Sequence, residues 1–274
     1  MRIRISHATT YRYDTPVKSV TQVLRLTPRN HDGQYVVSSR VDLSANCSLH
    51  QHEDAFGNIT HVFTADGELN ELKVSFEGEV ETQDTNGVVA GAVERFPPAL
   101  YLRETALTAP DAALTRLGGN AVASSSGRLG ALHYLLAKLH RDIVFDTDPT
   151  HSATTAAEAY ALGRGVCQDI THIFIAAARL AGIPARYVAG HFHRSDGVTA
   201  QDAGHAWVEA YVDDLGWVGF DPTNGVCTTD AHVRVAIGLD YLEAAPIRGA
   251  RFGGLGETMA VEVHVDQAQR QTQS

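Results

Sequence analysis

Cysteine is scarce in this chain of 274 residues: there are three, Cys47, Cys167 and Cys227. An odd count without C-x-x-C spacing argues against both a disulfide framework and a zinc ribbon, and reduced thiols are expected. Basic residues are outnumbered, with 22 Lys and Arg against 32 Asp and Glu, for a formal charge of −10. Phosphate neutralisation needs basic patches, so no nucleic-acid partner is expected. A long apolar run is also missing at the N-terminus, which alternates Arg2, Ile3, Arg4 and Ile5. Neither a signal peptide nor a membrane span is therefore expected, and the cytoplasm is the expected compartment. Apolar residues, by contrast, are plentiful at 44% of the chain. That can support one large core or two small ones, and two domains are expected at this length.

From Met1 to about Val93 the pattern has period two, in Arg2–Ile5, Thr21–Leu26 and Leu72–Val80, with turn residues between the runs. This predicts an antiparallel sandwich with one wet face. His50, His52 and His61 lie in this region without a spacing that closes a metal site, and a surface role is expected for them. Phe96-Pro97-Pro98 marks a boundary, and Leu100 to Gly127 reads as a connector with short helical pieces. Leu129, Leu132, Leu135, Leu136 and Leu139 then recur at helical spacing. Ile143–Phe145 reads as a short extended piece, and Thr155-Ala156-Ala157-Glu158 as a capping box opening a short helix that Gly163 ends.

Next comes Arg164-Gly165-Val166-Cys167-Gln168-Asp169, a lone cysteine after a glycine turn and at the start of an apolar-periodic run. Ile170, Ile173, Phe174, Ala177 and Ala181 follow helical spacing until Gly182 and Pro184 stop them. Cys167 is thus expected in the first turn of a buried helix, where unsatisfied N–H groups and a positive partial charge favour a thiolate. Asp169, in the same turn, is expected to serve the helix dipole and not the chemistry. The following Ala185–His193 reads as a strand; zinc ligation by His191 and His193 with His205 is not expected, because no fourth ligand is evident. Polar residues 194–203 read as a loop rimming the site.

Two β-rich runs follow, one carrying His205 and one carrying Asp221, with Asp213, Asp214 and Gly216 between them. A cysteine on a helix, then a histidine and an acid on paired strands, is the order needed for an imidazole that activates a thiol and a carboxylate that orients the imidazole. Strand geometry constrains this pairing. His205 and Asp221 must share a face, and pairing Val212 with Trp217 would turn Asp221 away. Pairing Val212 with Gly216 instead sets Asp221 opposite Trp207, diagonal to His205 at about 7–8 Å. A three-residue loop of Asp213, Asp214 and Leu215 is therefore predicted. Beyond it, His232–Ile237 and Met259–Val265 read as strands, residues 249–256 as a loop, and Gln267–Ser274 as a disordered tail.

These three boxes closely resemble those of the transglutaminase-like superfamily of papain-type thiol enzymes. Ser6-His7-Ala8-Thr9-Thr10-Tyr11-Arg12-Tyr13-Asp14, Asp54–Asn58 and His232–Gly238 resemble the bacterial members that join a β-rich N-terminal domain to this core. Ile170 stands where an aromatic is usual, and Gly204 where serine is common. The resemblance implies an α+β protein: an N-terminal antiparallel β-sandwich over 1–95, a papain-like core with its connector over 96–266 bearing the nucleophile on a helix against an antiparallel sheet, and the tail 267–274. It implies catalytic Cys167, His205 and Asp221, no cofactor or metal, and a peptide or protein substrate. The acyl acceptor, water or an amine, stays open, as does a non-catalytic binding module on the same fold. The backbone N–H of Cys167 is one expected oxyanion donor, with Gln168 and Tyr160 as candidates for the second.

Overall fold

The computed structural model describes residues 1–268. Four strands come first: β1 (Arg2–Thr27), β2 (Gln34–Leu43), β3 (His50–Glu53) and β4 (Ile59–Thr82). β1 and β4 run antiparallel over nearly their whole lengths, from Arg2 opposite Glu81 to Thr27 opposite Ile59. The period-two pattern is the cause: Ile3, Ile5, Tyr11 and Tyr13 are buried while Arg4, Arg12 and Asp14 are exposed. An irregularity between Val17 and Ser19 then shifts the inward parity from odd to even, so that Val20, Gln22, Leu24 and Leu26 are buried beyond it. Side chains from both halves, among them Ile5, Leu24, Phe63 and Phe76, fall in one apolar cluster. The two halves of this N-terminal region thus come from the same long strands. Burying each such side chain contributes about 1.5–3 kcal/mol.

The chain then crosses by β5 (Val88–Val89) and two short 3₁₀ turns to α1 (Ala112–Ala123) and α2 (Gly127–Asp142). The first of these helices is longer than the connector expected there. Asp111 caps it, its carboxylate accepting from Leu114 N–H at 2.7 Å, and Leu114, Leu117 and Ala121 bury one face. Next are β6 (Val144–Phe145), α3 (Ala156–Leu162), β7 (Arg164–Gly165) and α4 (Cys167–Leu180). All eleven residues from Asp169 to Arg179 are buried, which makes α4 the central helix.

A second sheet follows from β8 (Ala185–Phe192), β9 (Ala200–Gln201), β10 (His205–Val212), β11 (Gly216–Asp221), β12 (Val226–Cys227) and β13 (His232–Gly238). Its order is β12-β11-β10-β8-β13, with β5 also pairing β11, whereas β9 joins the first sheet. One face carries Ala206, Val208, Val218 and Phe220 into the cluster that holds Ile173 and Phe174 of α4; Phe174 stacks on Phe220 at 5.6 Å. The other face carries Trp207 and Trp217 into two smaller clusters that include Phe56, from before β4.

After α5 (Tyr241–Ala244), strands β14 (Ile247–Gly253) and β15 (Thr258–Gln267) return to the first sheet. There β14 pairs with Val17–Leu24 of β1 and β15 with Ile3–Arg12. Two expectations are corrected here. Residues 249–253, read as loop, are strand; six of the seven residues of β14 are exposed, so no burial alternation marks it in the sequence. Each of the two sheets draws strands from both of the ranges 1–95 and 96–266. Val88–Val89 pair with Val218 and Trp217, and the chain's far end completes the sheet of its beginning. A ladder is closed by hydrogen bonds, and a period-two strand far along the chain can satisfy the edge of β1. The tail expected from Gln267 also begins in this sheet: Gln267 pairs with Ile3, and Ala268 N–H donates to Arg2 O at 2.8 Å. Residues 269–274 lie outside the described residues.

Two side-chain amides fasten the first sheet to β13. Asn58 donates to Ile237 O and accepts from Ile237 N–H, both at 2.8 Å. Gln34 does the same at Arg234, donating at 2.9 Å and accepting at 2.8 Å.

Candidate active site

The cysteine turn is assembled from its neighbours. α3 opens on the expected capping box, with Thr155 N–H donating to Glu158 at 2.9 Å, and closes on Gly163 at φ 66°. Gly165 follows, and a side chain there would meet Asp169 Oδ2 at 2.6 Å. That space is filled because Asp169 folds back over the turn, accepting from Val166 N–H at 2.8 Å and from the Thr150 hydroxyl at 2.7 Å. Burial raises the Asp169 carboxyl, against the pull of these two donors. Asp169 is thus a cap of the α4 terminus, and Cys167, half-buried, is the first residue of that helix.

His205 opens β10, opposite Gly190 of β8. A Cβ at Gly190 would lie 2.5 Å from the Trp207 ring, so this position cannot carry a side chain. The β10–β11 register is the one that strand parity demands: Val212 pairs with Gly216 and Val208 with Phe220, leaving the loop Asp213-Asp214-Leu215. Gly216 takes the positive φ of 81° that closes it. Asp221 thereby shares the face of His205, and His205 Nε2 lies 2.6 Å from Asp221 Oδ2.

Asp221 is fully buried and surrounded by donors. Its Oδ1 accepts from Thr223 N–H and Asn224 N–H, both at 3.1 Å. Its Oδ2 accepts from Asn224 Nδ2 at 2.6 Å and from His232 Nε2 at 3.1 Å, besides His205. Burial alone would favour the neutral acid, but the charges and hydrogen bonds of His205 and His232 hold the carboxyl far below its usual range. At His205 burial opposes the imidazolium, yet Asp221 and, more weakly, neighbouring Cys167 prevail and push it up to about 10. The acceptor-only carboxylate requires a proton on Nε2, which leaves Nδ1 of His205 as the ring nitrogen not engaged by Asp221.

Sequence reading missed His232 and Asn224. The Asp-Pro-Thr-Asn run carried a signal for the latter, since Asp before a turn commonly accepts from the N–H groups that follow. His232 had none, because β13 reaches Asp221 only by way of β8. His205, Asp221 and His232 also bring three potential ligand atoms within 4.8 Å of one another. A metal does not fit them well: Thr229 N–H donates to His232 Nδ1 at 3.1 Å, so the ring proton is on Nε2, where a ligand lone pair would be needed.

The remaining candidates fall elsewhere. Gln168 Nε2 donates to Ser152 O at 3.4 Å, and Tyr160 packs against the helical core. His191 is buried 5.9 Å from His7 of β1, whereas His193 is half-buried at the end of β8. His50 and His52 are exposed, but His61 is buried, a departure from the surface role expected of it: the pleat of β4 turns it inward with Phe63 and Ala65. The 194–203 loop contains β9, and Gln201 Nε2 donates to Phe192 O at 2.9 Å; the Phe192 ring lies 5.4 Å from His205.

An antiparallel sheet with a cysteine at the mouth of its central helix, and a histidine–carboxylate pair on its strands, defines a thiol-enzyme fold of the papain-like class. Known proteins agree. Residues 3–81 match the bacterial transglutaminase-like N-terminal region and residues 116–222 the transglutaminase-like superfamily core. An uncharacterized protein of Mycobacterium leprae is 30% identical, the alignment covering 94% of this chain and 95% of that one. Another, from Mycobacterium tuberculosis, is 26% identical over 97% and 92%. Among solved structures, one from Cytophaga hutchinsonii described as a "putative cysteine protease" superposes with a TM-score of 0.78 at 20% identity, covering 98% of this chain and 92% of its own. The chain belongs to the transglutaminase-like superfamily, with the N-terminal region of its bacterial members. No described helix is long and apolar enough to cross a membrane.

Proposed function

We propose that the protein is a cysteine-dependent acyl-transfer enzyme that hydrolyses amide or peptide bonds, with Cys167 as nucleophile, His205 as base and acid, and Asp221 as the group that orients His205. The observation that carries this reading is the 2.6 Å His205–Asp221 pair beside a thiol at a helix N-terminus. Cys167 Sγ attacks the carbonyl carbon after its proton has passed to Nδ1 of His205, the transfer that leaves the ring charged. The C–N bond breaks as that proton moves on to the departing amine, leaving a thioester on Cys167. Water, activated by the same ring, attacks the thioester and releases the acid and the thiol. The N–H of Cys167 donates to the oxyanion, a contribution of about 3 kcal/mol where such donors have been removed.

The description of the Cytophaga structure supports a peptide or protein substrate, and three unpaired cysteines support a reducing, cytoplasmic setting. Intact-mass spectrometry with an activated acyl ester tests the assignment. The adduct should form on wild type and be absent from Cys167→Ser; an equal adduct on both would sink the nucleophile. Adding a primary amine should leave the carboxylic acid as the main product, and conversion mainly to the amide would instead identify a transglutaminase.

A further inference from the structure

We propose that His232 is a positioning residue: through one fixed hydrogen bond it holds the Asp221 carboxylate in register with His205. This rests on the acyl-transfer reading above. Apart from His205, the donors to Asp221 are Thr223 N–H, Asn224 N–H, Asn224 Nδ2 and His232 Nε2. The first three all belong to the turn that immediately follows Asp221, so they move with it. His232 alone reaches the carboxylate from another strand, β13, which is separated from β11 by β8 and β10.

The ring of His232 is set on every side. Thr229 N–H donates to Nδ1 at 3.1 Å, which makes Nδ1 the acceptor and aims the Nε2 proton at Asp221 Oδ2. Phe192 packs on the ring at 4.8 Å and Trp207 stands edge-on to it at 5.3 Å. Two imidazoles therefore share one carboxylate oxygen in different roles. His205 keeps its second nitrogen for the thiol, whereas that of His232 is engaged by the backbone. Gln34 grips β13 two residues on, at Arg234, so the N-terminal sheet braces the same strand. Without the His232 donor, His205 itself is the one described group outside the 223–224 turn that still bonds Oδ2, so nothing independent of that pair fixes the carboxylate and it can rotate away with the ring out of register.

The test uses the full chain and iodoacetamide, with alkylation of Cys167 followed by intact mass across pH. His232→Leu keeps apolar bulk between Phe192 and Trp207 but lacks the donor; His232→Gln keeps an N–H near the position of Nε2. The Leu variant is expected to alkylate about 10- to 100-fold more slowly at neutral pH, with its profile moved to higher pH, while the Gln variant stays within about threefold of wild type. A purely structural role would leave the Leu profile in place, and that result would overturn the proposal. A wild-type Cys167 no faster than Cys47 and Cys227 would instead overturn the acyl-transfer reading and, with it, the role given to His232. Should H232L fail to fold, ¹⁵N-histidine NMR of the wild type decides: a ring proton on Nε2 of His232 supports the proposal, and one on Nδ1 defeats it.

Discussion

The two sheets bury polar groups in opposite ways. In the first, His7, Thr9 and Gln22 point inward with little polar company: His7 Nε2 lies 3.2 Å from the Thr9 hydroxyl, and His7 Nδ1 and Gln22 Oε1 have no hydrogen-bond partner. In the second, buried charges come in chains: Glu94 pairs with Arg186, Arg186 with Glu209, and Glu209 with Arg234, all at 2.7 Å. Arg186 also lies over the Trp217 ring at 3.9 Å. Isolated buried polar groups favour neutral states, while linked ones stay charged. The same contrast separates His191, which burial, with His7 and His205 nearby, lowers to about 3, from His205. Of these two buried rings, the one beside a buried carboxylate is the one that keeps its charge.

The sharpest way to break this contrast is to remove the carboxylate that sustains the charged ring. Asp221→Asn should lower acyl-enzyme formation by about 10⁴-fold, because an amide in place of the carboxylate permits the wrong histidine tautomer. Rapid-mixing measurements with an activated ester would register it, and a loss under tenfold would contradict the role given to Asp221. Deleting Leu215 should follow, costing at least about 100-fold in activity by slipping the β10–β11 register, with a smaller effect on the melting temperature. Glu209→Ala tests the charge chain itself. Leaving Arg234 without its carboxylate and Arg186 with Glu94 alone should cost about 3–5 kcal/mol in urea unfolding. Stability within 1 kcal/mol of wild type would show that the chain contributes little.

The pH dependence sharpens the comparison at lower amplitude. Burial lowers His7 to about 4 and His191 to about 3, from 6.5. The unfolded chain therefore takes up protons at these sites before the folded one does, and stability should fall as pH drops from about 6.5 toward 4. His205, raised to about 10, has the opposite sign: its contribution is complete below about 6.5 and is lost as pH rises toward 10. Melting curves across pH should show both limbs, and His7→Gln should flatten only the acid one. The smallest effect is expected from His7→Ala on chemistry: Cys167 alkylation should be unchanged, and a large loss in a folded variant would give the N-terminal sheet a direct part in the reaction.

How much of this was legible in the sequence follows from the range of each interaction. The α4 start at Cys167, the capping box at Thr155 and the three-residue hairpin are local, and spacing with strand parity predicts all three. The acid's orientation toward His205 followed from the same parity. α1 was underestimated because Gly118 and Gly119 interrupt its pattern, although Leu114, Leu117 and Ala121 mark a buried face. β14 and β15 joining the first sheet, and His232 reaching Asp221, are strand placements between distant segments, which no local pattern encodes.

The amides of Asn58 and Gln34 have a further consequence. β13 is the last strand on its side of the second sheet, and such a boundary normally offers a row of free N–H and C=O groups to any passing chain. Each amide presents a donor and an acceptor side by side, as a peptide group does, and so occupies two of those sites. Two side chains thus act as a counterfeit seventh strand, and the β13 edge of the sheet that carries His205 and Asp221 has two of its pairing positions taken without another strand being added.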